Sequence, residues 1–370
     1  MEYNVLVLGG YLCGKTSAMA SMFDEVINKL SPYFSLRNIT SVHENSLNHS
    51  LRDKLMEMKR FASNKHGNNN MFCMNYGCSI SYSDTTLRFS KLGKTKGIDF
   101  LFTDMPGSFC LNNGIHHDWI RNFVRKAETC VVVIDTPYLM VGNVVENLSR
   151  NISNIIFSLL TSIEYEKELK QVLLVPVKCE KWIQNGEGEK VVQKIEEEYS
   201  QIIDFLKKTN NVEIGIIPIQ TTGNIIFSEL SEAYRLYNNE TNCVQLCSKM
   251  TDNIVRLKDG RYHRIHNNEY LEQDPSFYYE FSDEAIRMEW FQYANNRNAD
   301  FSPENCDQLF LHILRFMLKK FLEEGKNHIL PFLKEMNKDT AREILDTLMS
   351  NKLIKDDTDC IHTIKSVFIN

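Results

Sequence analysis

Near the amino terminus, Gly9-Gly10-Tyr11-Leu12-Cys13-Gly14-Lys15-Thr16-Ser17 matches G-x-x-x-x-G-K-[ST] at every fixed position. Glycines let successive backbone N–H groups converge on one anion, and here they are followed by an ammonium and a hydroxyl. Those residue types at that spacing suit a polyphosphate. The loop N–H groups and the positive end of a helix beginning near Lys15 would surround it, Lys15 would reach the β- and γ-phosphates, and Thr16 would ligate Mg²⁺. Further along, Asp104-Met105-Pro106-Gly107 closes an apolar run. Such an acid can hold Mg²⁺ through water, while the Gly107 N–H can sense a γ-phosphate. Two more loops carry base-directed chemistry, Pro176-Val177-Lys178-Cys179-Glu180-Lys181-Trp182 and Pro218-Ile219-Gln220-Thr221-Thr222-Gly223-Asn224. The Lys178 stem can lie along a purine face and Glu180 can accept the two N–H donors of guanine. The backbone at Thr221, Thr222 and Gly223 can bond the base carbonyl.

The elements that must position these residues are legible as periodicity. Residues 5–8 form a buried-type strand before the glycine loop, and residues 16–30 a helix after it. Residues 31–77 read as an insertion with one helix at 51–63 and an asparagine-rich, mobile part. Strand signals at 78–82 and 85–92 and a turn at 93–97 lead into 98–104, an antiparallel hairpin. A helix at 113–126, a buried strand at 129–135, a long or broken helix at 142–170, a strand at 171–178, a helix at 187–208 and a strand at 212–219 follow. This alternation predicts an α/β fold of the P-loop NTPase type: a mostly parallel sheet, one antiparallel edge strand, and helices on both faces. Ligands of such sheets lie beyond the carboxyl ends of the strands, so the four loops are expected to converge.

The 370-residue chain is 43 % apolar with a net charge of −6 and no long basic block, which disfavours nonspecific adhesion to nucleic acid or anionic membranes. With no 18-residue apolar run, and with Met1-Glu2-Tyr3 leading straight into a strand, a cytoplasmic protein without a membrane span is expected. Ten scattered cysteines fit reduced core thiols better than a disulfide framework. Three regions are expected: 1–225 around the glycine loop, a mixed polar extension at 226–300, and a helical region at 301–370. Residues 225–237 read as helical, and Ser302-Pro303-Glu304-Asn305-Cys306-Asp307 caps a helix with Leu309, Ile313, Phe316, Met317 and Phe321 on one face. The tail has the order of a winged helix but no basic recognition helix, so nucleic acid is not the expected partner. Cys243, Cys247, His263 and His266 have a spacing near but outside zinc-site ranges; they read as two cysteines packed inward from a helix and two surface histidines.

Taken together, Gly9–Thr16, Asp104–Gly107, Lys178-Cys179-Glu180 and Gln220–Gly223 resemble the phosphate loop, Asp-x-x-Gly switch, Asn/Thr-Lys-x-Asp base motif and Ser-Ala-Lys-like loop of the Ras-like, translation-factor-related superclass of P-loop GTPases. The resemblance covers roughly residues 1–225; Val177 and Glu180 depart from the base motif. The four stretches also resemble poorly characterised bacterial GTPase-like proteins often encoded in conflict-type gene clusters. The resemblance implies Mg²⁺-dependent binding of GTP and GDP and a nucleotide-controlled switch, whose helical third transmits nucleotide state to a protein partner. Because many such switches act as dimers, a homodimer is one expectation. Where many Ras-like enzymes carry a water-positioning glutamine, this chain has Ser108 and Phe109, so slow hydrolysis is expected. His116, His117, Arg121 and Arg125 are the candidates to complete it in cis. Thr85 or Thr86, with Ser79, Ser81 and Ser83 as rivals, is the candidate switch hydroxyl. An ATPase, or a nucleotide-bound interaction module without turnover, are the alternatives.

Overall fold

Along β1 (Glu2–Leu8), Tyr3, Val5 and Val7 alternate with Leu6 and Leu8, and both sets are buried. A strand buried on both faces belongs inside a sheet covered by helices. The computed structural model describes residues 2–41, 51–63, 82–92, 97–111, 116–161, 169–208, 212–238, 243–247, 254–256, 262–266, 269–270, 279–281, 286–294, 301–324, 338–355 and 367–369. They divide into two compact units, 2–224 with 301–369, and 225–294.

The first unit continues through α1 (Lys15–Leu30), β2 (Phe34–Ser41), α2 (Leu51–Ser63), β3 (Ser83–Lys91), β4 (Ile98–Asp104), α3 (Gly107–Leu111), α4 (His117–Lys126) and β5 (Thr129–Asp135). Next come α5 (Thr136–Met140), α6 (Val144–Asn151), α7 (Ser153–Thr161), β6 (Gln171–Val177), α8 (Glu180–Gln184), α9 (Gly188–Glu198), α10 (Ser200–Lys208) and β7 (Glu213–Ile216). The second unit holds β8 (Ile225–Asn238), β9 (Cys243–Cys247), β10 (Ile254–Arg256), β11 (Tyr262–His266), β12 (Glu269–Tyr270), β13 (Tyr279–Phe281) and β14 (Ile286–Tyr293). The chain then returns to the first unit with α11 (Cys306–Glu324), α12 (Lys338–Ser350) and β15 (Val367–Ile369).

The main sheet has the order β15-β7-β6-β5-β1-β4-β3-β2. From β7 to β4 all neighbours are parallel. β3 is antiparallel to β4, as the hairpin reading expects, but it is not the edge. β2 pairs antiparallel along β3 from Phe34↔Lys91 to Ser41↔Asp84, and β15 pairs antiparallel with β7 at the other edge. The expectation of one antiparallel edge strand is therefore corrected. In Phe34-Ser35-Leu36-Arg37-Asn38, the alternation of a half-exposed edge strand is diluted by the polar residues that follow, and it reads as loop. The tail strand, expected in a winged-helix hairpin, instead extends this sheet.

Tyr3, Val5, Val7, Phe89, Phe100, Phe102, Val131 and Leu173 share one core with α1, α2, α11 and α12. Phe310 of α11 stands edge-on to Phe100 at 5.0 Å, and Phe23 of α1 to Phe102 at 5.3 Å. α11 thus lies beside α1 on the sheet although 225–294 intervene in the chain. Leu6, Leu8, Cys130 and Val132 are buried on the opposite face, on which α4 meets β1 and α7. No described helix is long and apolar enough to cross a membrane.

In the second unit, residues 225–237 are strand rather than helix, a further correction. β14 pairs antiparallel along β8, with a register shift that leaves Ser228 between the partners of Trp290 and Phe291. Buried Ile225 and Phe227 are followed by buried Leu230, so the period of two is broken at the bulge and the spacing imitates a helix. Cys243 and Cys247 bound strand β9, not a helix face.

The expected helix at 142–170 is broken at Ile152, which adopts φ 46. Its first piece, α6, is set by a capping box in which Asn143 Oδ1 accepts from Glu146 N at 3.0 Å and Glu146 Oε2 accepts from Asn143 N at 2.9 Å. Asn143→Ala is expected to cost about 1 kcal/mol in thermal or urea unfolding; a loss of zero would mean that packing alone holds α6.

Candidate functional site

β1 delivers the glycine loop to the carboxyl edge of the sheet, and Gly14, at φ 102, is the N-cap of α1. Neither a capping side chain nor a first-turn acid occupies that helix end, so its positive field stays available to an anion. Lys15 is 7 % exposed, and its Nζ donates to the carbonyls of Gly9 at 3.1 Å and Gly10 at 2.8 Å. The amine is held over the loop instead of reaching solvent.

β4 pairs in register with β1, Val7 opposite Asp104, which brings Asp104 beside the loop. Thr16 Oγ1 donates to Asp104 Oδ2 at 2.6 Å, while Oδ1 is buried with no hydrogen-bond partner among the described residues. Burial pushes the Asp104 carboxyl above the usual range, opposed by the Lys15 charge and the Thr16 hydroxyl. A hydroxyl and a carboxylate with one oxygen unused suit a hard divalent cation, which takes oxygen donors and keeps much of its water. Gly107 begins α3 directly against the loop: a Cβ there would lie 2.4 Å from Tyr11 N, so only glycine allows this approach.

On the base side, Lys178 (φ 59) donates through Nζ to Leu12 O at 3.3 Å and pairs with Asp135 Oδ2 at 2.7 Å. Glu180 is 2 % exposed, and its Oε1 accepts from Thr222 N at 3.2 Å and Thr222 Oγ1 at 3.4 Å. Burial pushes its carboxyl up, while backbone N–H groups of Glu180, Thr222 and Gly223 pull it back. Thr221, also buried, accepts from Ser21 Oγ of α1 at 2.8 Å through its carbonyl. The 302–304 segment is laid along this loop, with Ser302 N donating to Thr222 O at 3.1 Å and Glu304 N to Gln220 O at 2.9 Å.

Lys15, Thr16, Asp104 and Gly107 thus meet at the loop, and Lys178 reaches its far side. The switch and water-orienting candidates are distributed differently. Thr85 is buried within the β3 ladder opposite Phe102, and it is Ser83 that lies opposite Asp104. Ser79, Ser81 and the His117 side chain lie outside the described residues. His116 stacks on Phe109 at 4.3 Å, Arg121 pairs with Asp118, and Arg125 is exposed. Two residues that the sequence reading passed over belong to the site. Asp135 ends the apolar run of β5 as Asp104 ends β4, a signal available in the sequence. Arg150 donates to Tyr11 O at 2.7 Å from the last turn of α6, a position with no local signature.

No protein-family model and no curated protein matches the chain. Among solved structures it is similar to one titled LeoA bacterial dynamin GTPase from ETEC, at 13 % identity and a TM-score of 0.30, over 58 % of this chain and 29 % of that one. The match thus spans less than a third of that protein's length.

Proposed function

We propose that the chain is a Mg²⁺-dependent GTP-binding protein with slow intrinsic hydrolysis, used as a nucleotide-controlled switch toward a protein partner. The observation that carries the reading is the Thr16–Asp104 hydrogen bond, with Asp104 Oδ1 unused, beside a glycine loop whose lysine is already turned inward. Lys15 and the loop N–H groups would bind the phosphates, while Thr16 and Asp104 would hold Mg²⁺. The bound cation would neutralise phosphate charge. Glu180 and the 221–223 loop would face the base. Slow turnover follows from Ser108 and Phe109 after Gly107, where a glutamine that orients the attacking water would otherwise stand. A switch follows from the contact of Gly107 with the loop backbone, which couples α3 to whatever fills the cradle.

One observation favours a second reading. The Glu180 carboxylate is already engaged by Thr222 of the 221–223 loop, which would leave the base unselected and ATP acceptable. Calorimetric titration of purified protein with GTP, GDP, ATP and ADP, with and without Mg²⁺, then phosphate release, tests both; no binding of any of them removes both.

Asp104→Asn is expected to weaken Mg²⁺-nucleotide binding about tenfold, because an amide supplies no charge to the cation. The same change leaves ligand-free stability unchanged or raised, since ionising a carboxyl whose folded pKa is raised by burial opposes folding. Loss of stability with unchanged Mg²⁺ affinity would count against the metal role.

A further inference from the structure

We infer that Arg150 is a positioning residue for the phosphate loop: it fixes the Tyr11 carbonyl on the outside of the loop and so aims the Leu12 N–H into the cradle. The inference rests on the proposal that the loop holds phosphates. A trans peptide is planar, so its C=O and N–H point in opposite directions. Arg150 Nη1 donates to Tyr11 O at 2.7 Å and Lys178 Nζ to Leu12 O at 3.3 Å. Gripping two consecutive carbonyls turns the N–H groups of Leu12 and Cys13 the other way. The grip has something to oppose, because Leu12 is a non-glycine residue at φ 61, a left-handed conformation that a side chain disfavours when nothing holds it.

Arg150 is itself rigidly mounted. Its Nη2 donates to Tyr138 Oη at 3.0 Å, its guanidinium lies 4.3 Å from the centre of the Tyr138 ring, and its Nε is 3.9 Å from Asp135 Oδ2. Asp135 also takes Lys178, so one buried carboxylate joins the two cations that hold the loop. The helix end carrying Arg150 is tied to the same strand end: Asn151 Oδ1 accepts from Asp135 N at 2.6 Å, and Asn151 Nδ2 donates to Asp135 O at 3.1 Å. The Arg150 carbonyl presses on the loop so closely that a Cβ on Gly10 would be 1.7 Å from it. Gly10 occupies a free position of the loop motif, and this contact explains why glycine stands there. A planar fork suits the place best, because one nitrogen serves Tyr11 while another serves Tyr138, a pairing that a lysine ammonium on a flexible stem reproduces only in part.

Affinities for GDP and GMP, measured by calorimetry well below the melting temperature, test the assignment, since GMP lacks the phosphates beyond the first. Arg150→Gln is expected to lower GDP affinity about tenfold while GMP affinity changes less than about twofold, with partial recovery in Arg150→Lys. A role confined to stability would lower the melting temperature and move neither affinity, or both equally, and either result overturns the inference. Tyr138→Phe, which removes one hydroxyl and keeps the ring, covers the case in which Arg150→Gln does not fold. It must show a smaller loss confined to GDP, and an unchanged GDP-to-GMP ratio overturns the assignment. Should the wild type fail to distinguish GDP from GMP, the phosphate-loop reading falls and this inference with it. A wild type that distinguishes them beside an Arg150→Gln variant of unchanged ratio sinks the inference alone.

Discussion

Lys15→Ala is expected to lower affinity for a nucleoside triphosphate by about two orders of magnitude while leaving the melting temperature of the ligand-free protein unchanged. The amine has two short bonds to the loop carbonyls of Gly9 and Gly10 and sits at the open end of α1. A charge-assisted contact to phosphate lost from such a place is worth on the order of 3 kcal/mol, which is roughly a hundredfold in affinity. Stability has little at stake, because the amine's hydrogen bonds go to carbonyls of the glycine loop and alanine is a good helix former at the first position of α1. Titration of GTP and of ATP into the variant, beside a thermal melt, reads both quantities. Unchanged affinity together with a normal melt would remove the phosphate-loop assignment, whereas a large fall in melting temperature would recast Lys15 as a structural cation.

What the sequence disclosed and what it hid follow from the same physics. The glycine loop is readable because its mechanism demands particular residue types at fixed spacing. β5 and β6 are readable because strands buried on both faces become unbroken apolar runs. Asp104 and Lys178 were found because each ends such a run. β2 was missed because an edge strand needs few apolar residues, and β8 because the bulge at Ser228 shifts its alternation. Arg150 was invisible for a different reason. Its place in the site depends on the pairing of β1 with β5 and on the bonds of Asn151 to Asp135 at the end of β5, which bring residue 150 against residue 11. No local pattern encodes that distance. The face of α11 was legible as a packing stripe, since Leu309, Ile313, Phe316, Met317 and Phe321 are all buried, but the sequence could not say that its partners are α1 and the main sheet.

Base choice is where the largest remaining effect is expected, with Glu180→Ala reducing a GTP preference over ATP of about a hundredfold to near equality. Guanine presents donors at N1 and N2 to a carboxylate, whereas adenine presents an acceptor at N1 that the same carboxylate repels. A buried acceptor left facing an acceptor costs more than the mean hydrogen bond is worth, which is the source of such selectivity. Two features temper it. Val177 supplies no supporting amide, and Oε1 of Glu180 already accepts from Thr222, so at most part of the carboxylate remains for a base. pH gives an independent readout. Burial raises the Glu180 pKa against the pull of the Thr222 and Gly223 N–H groups, and guanine requires the ionised form. The GTP preference should therefore decay on acidification at a pH above the ordinary glutamate range of about 4.3. Stability moves oppositely: a carboxyl with a raised folded-state pKa loses stability as pH rises from the unfolded to the folded value, so acidification through that window adds to it. Glu25, Asp104 and Glu213 shift the same way, so a decaying preference in a still-folded protein is the combined signature. If wild type binds ATP as tightly as GTP, or if neither Glu180→Ala nor acidification moves the ratio, Glu180 serves only to tie α8 to the 221–223 loop, and the ATP reading takes the place of the GTP one.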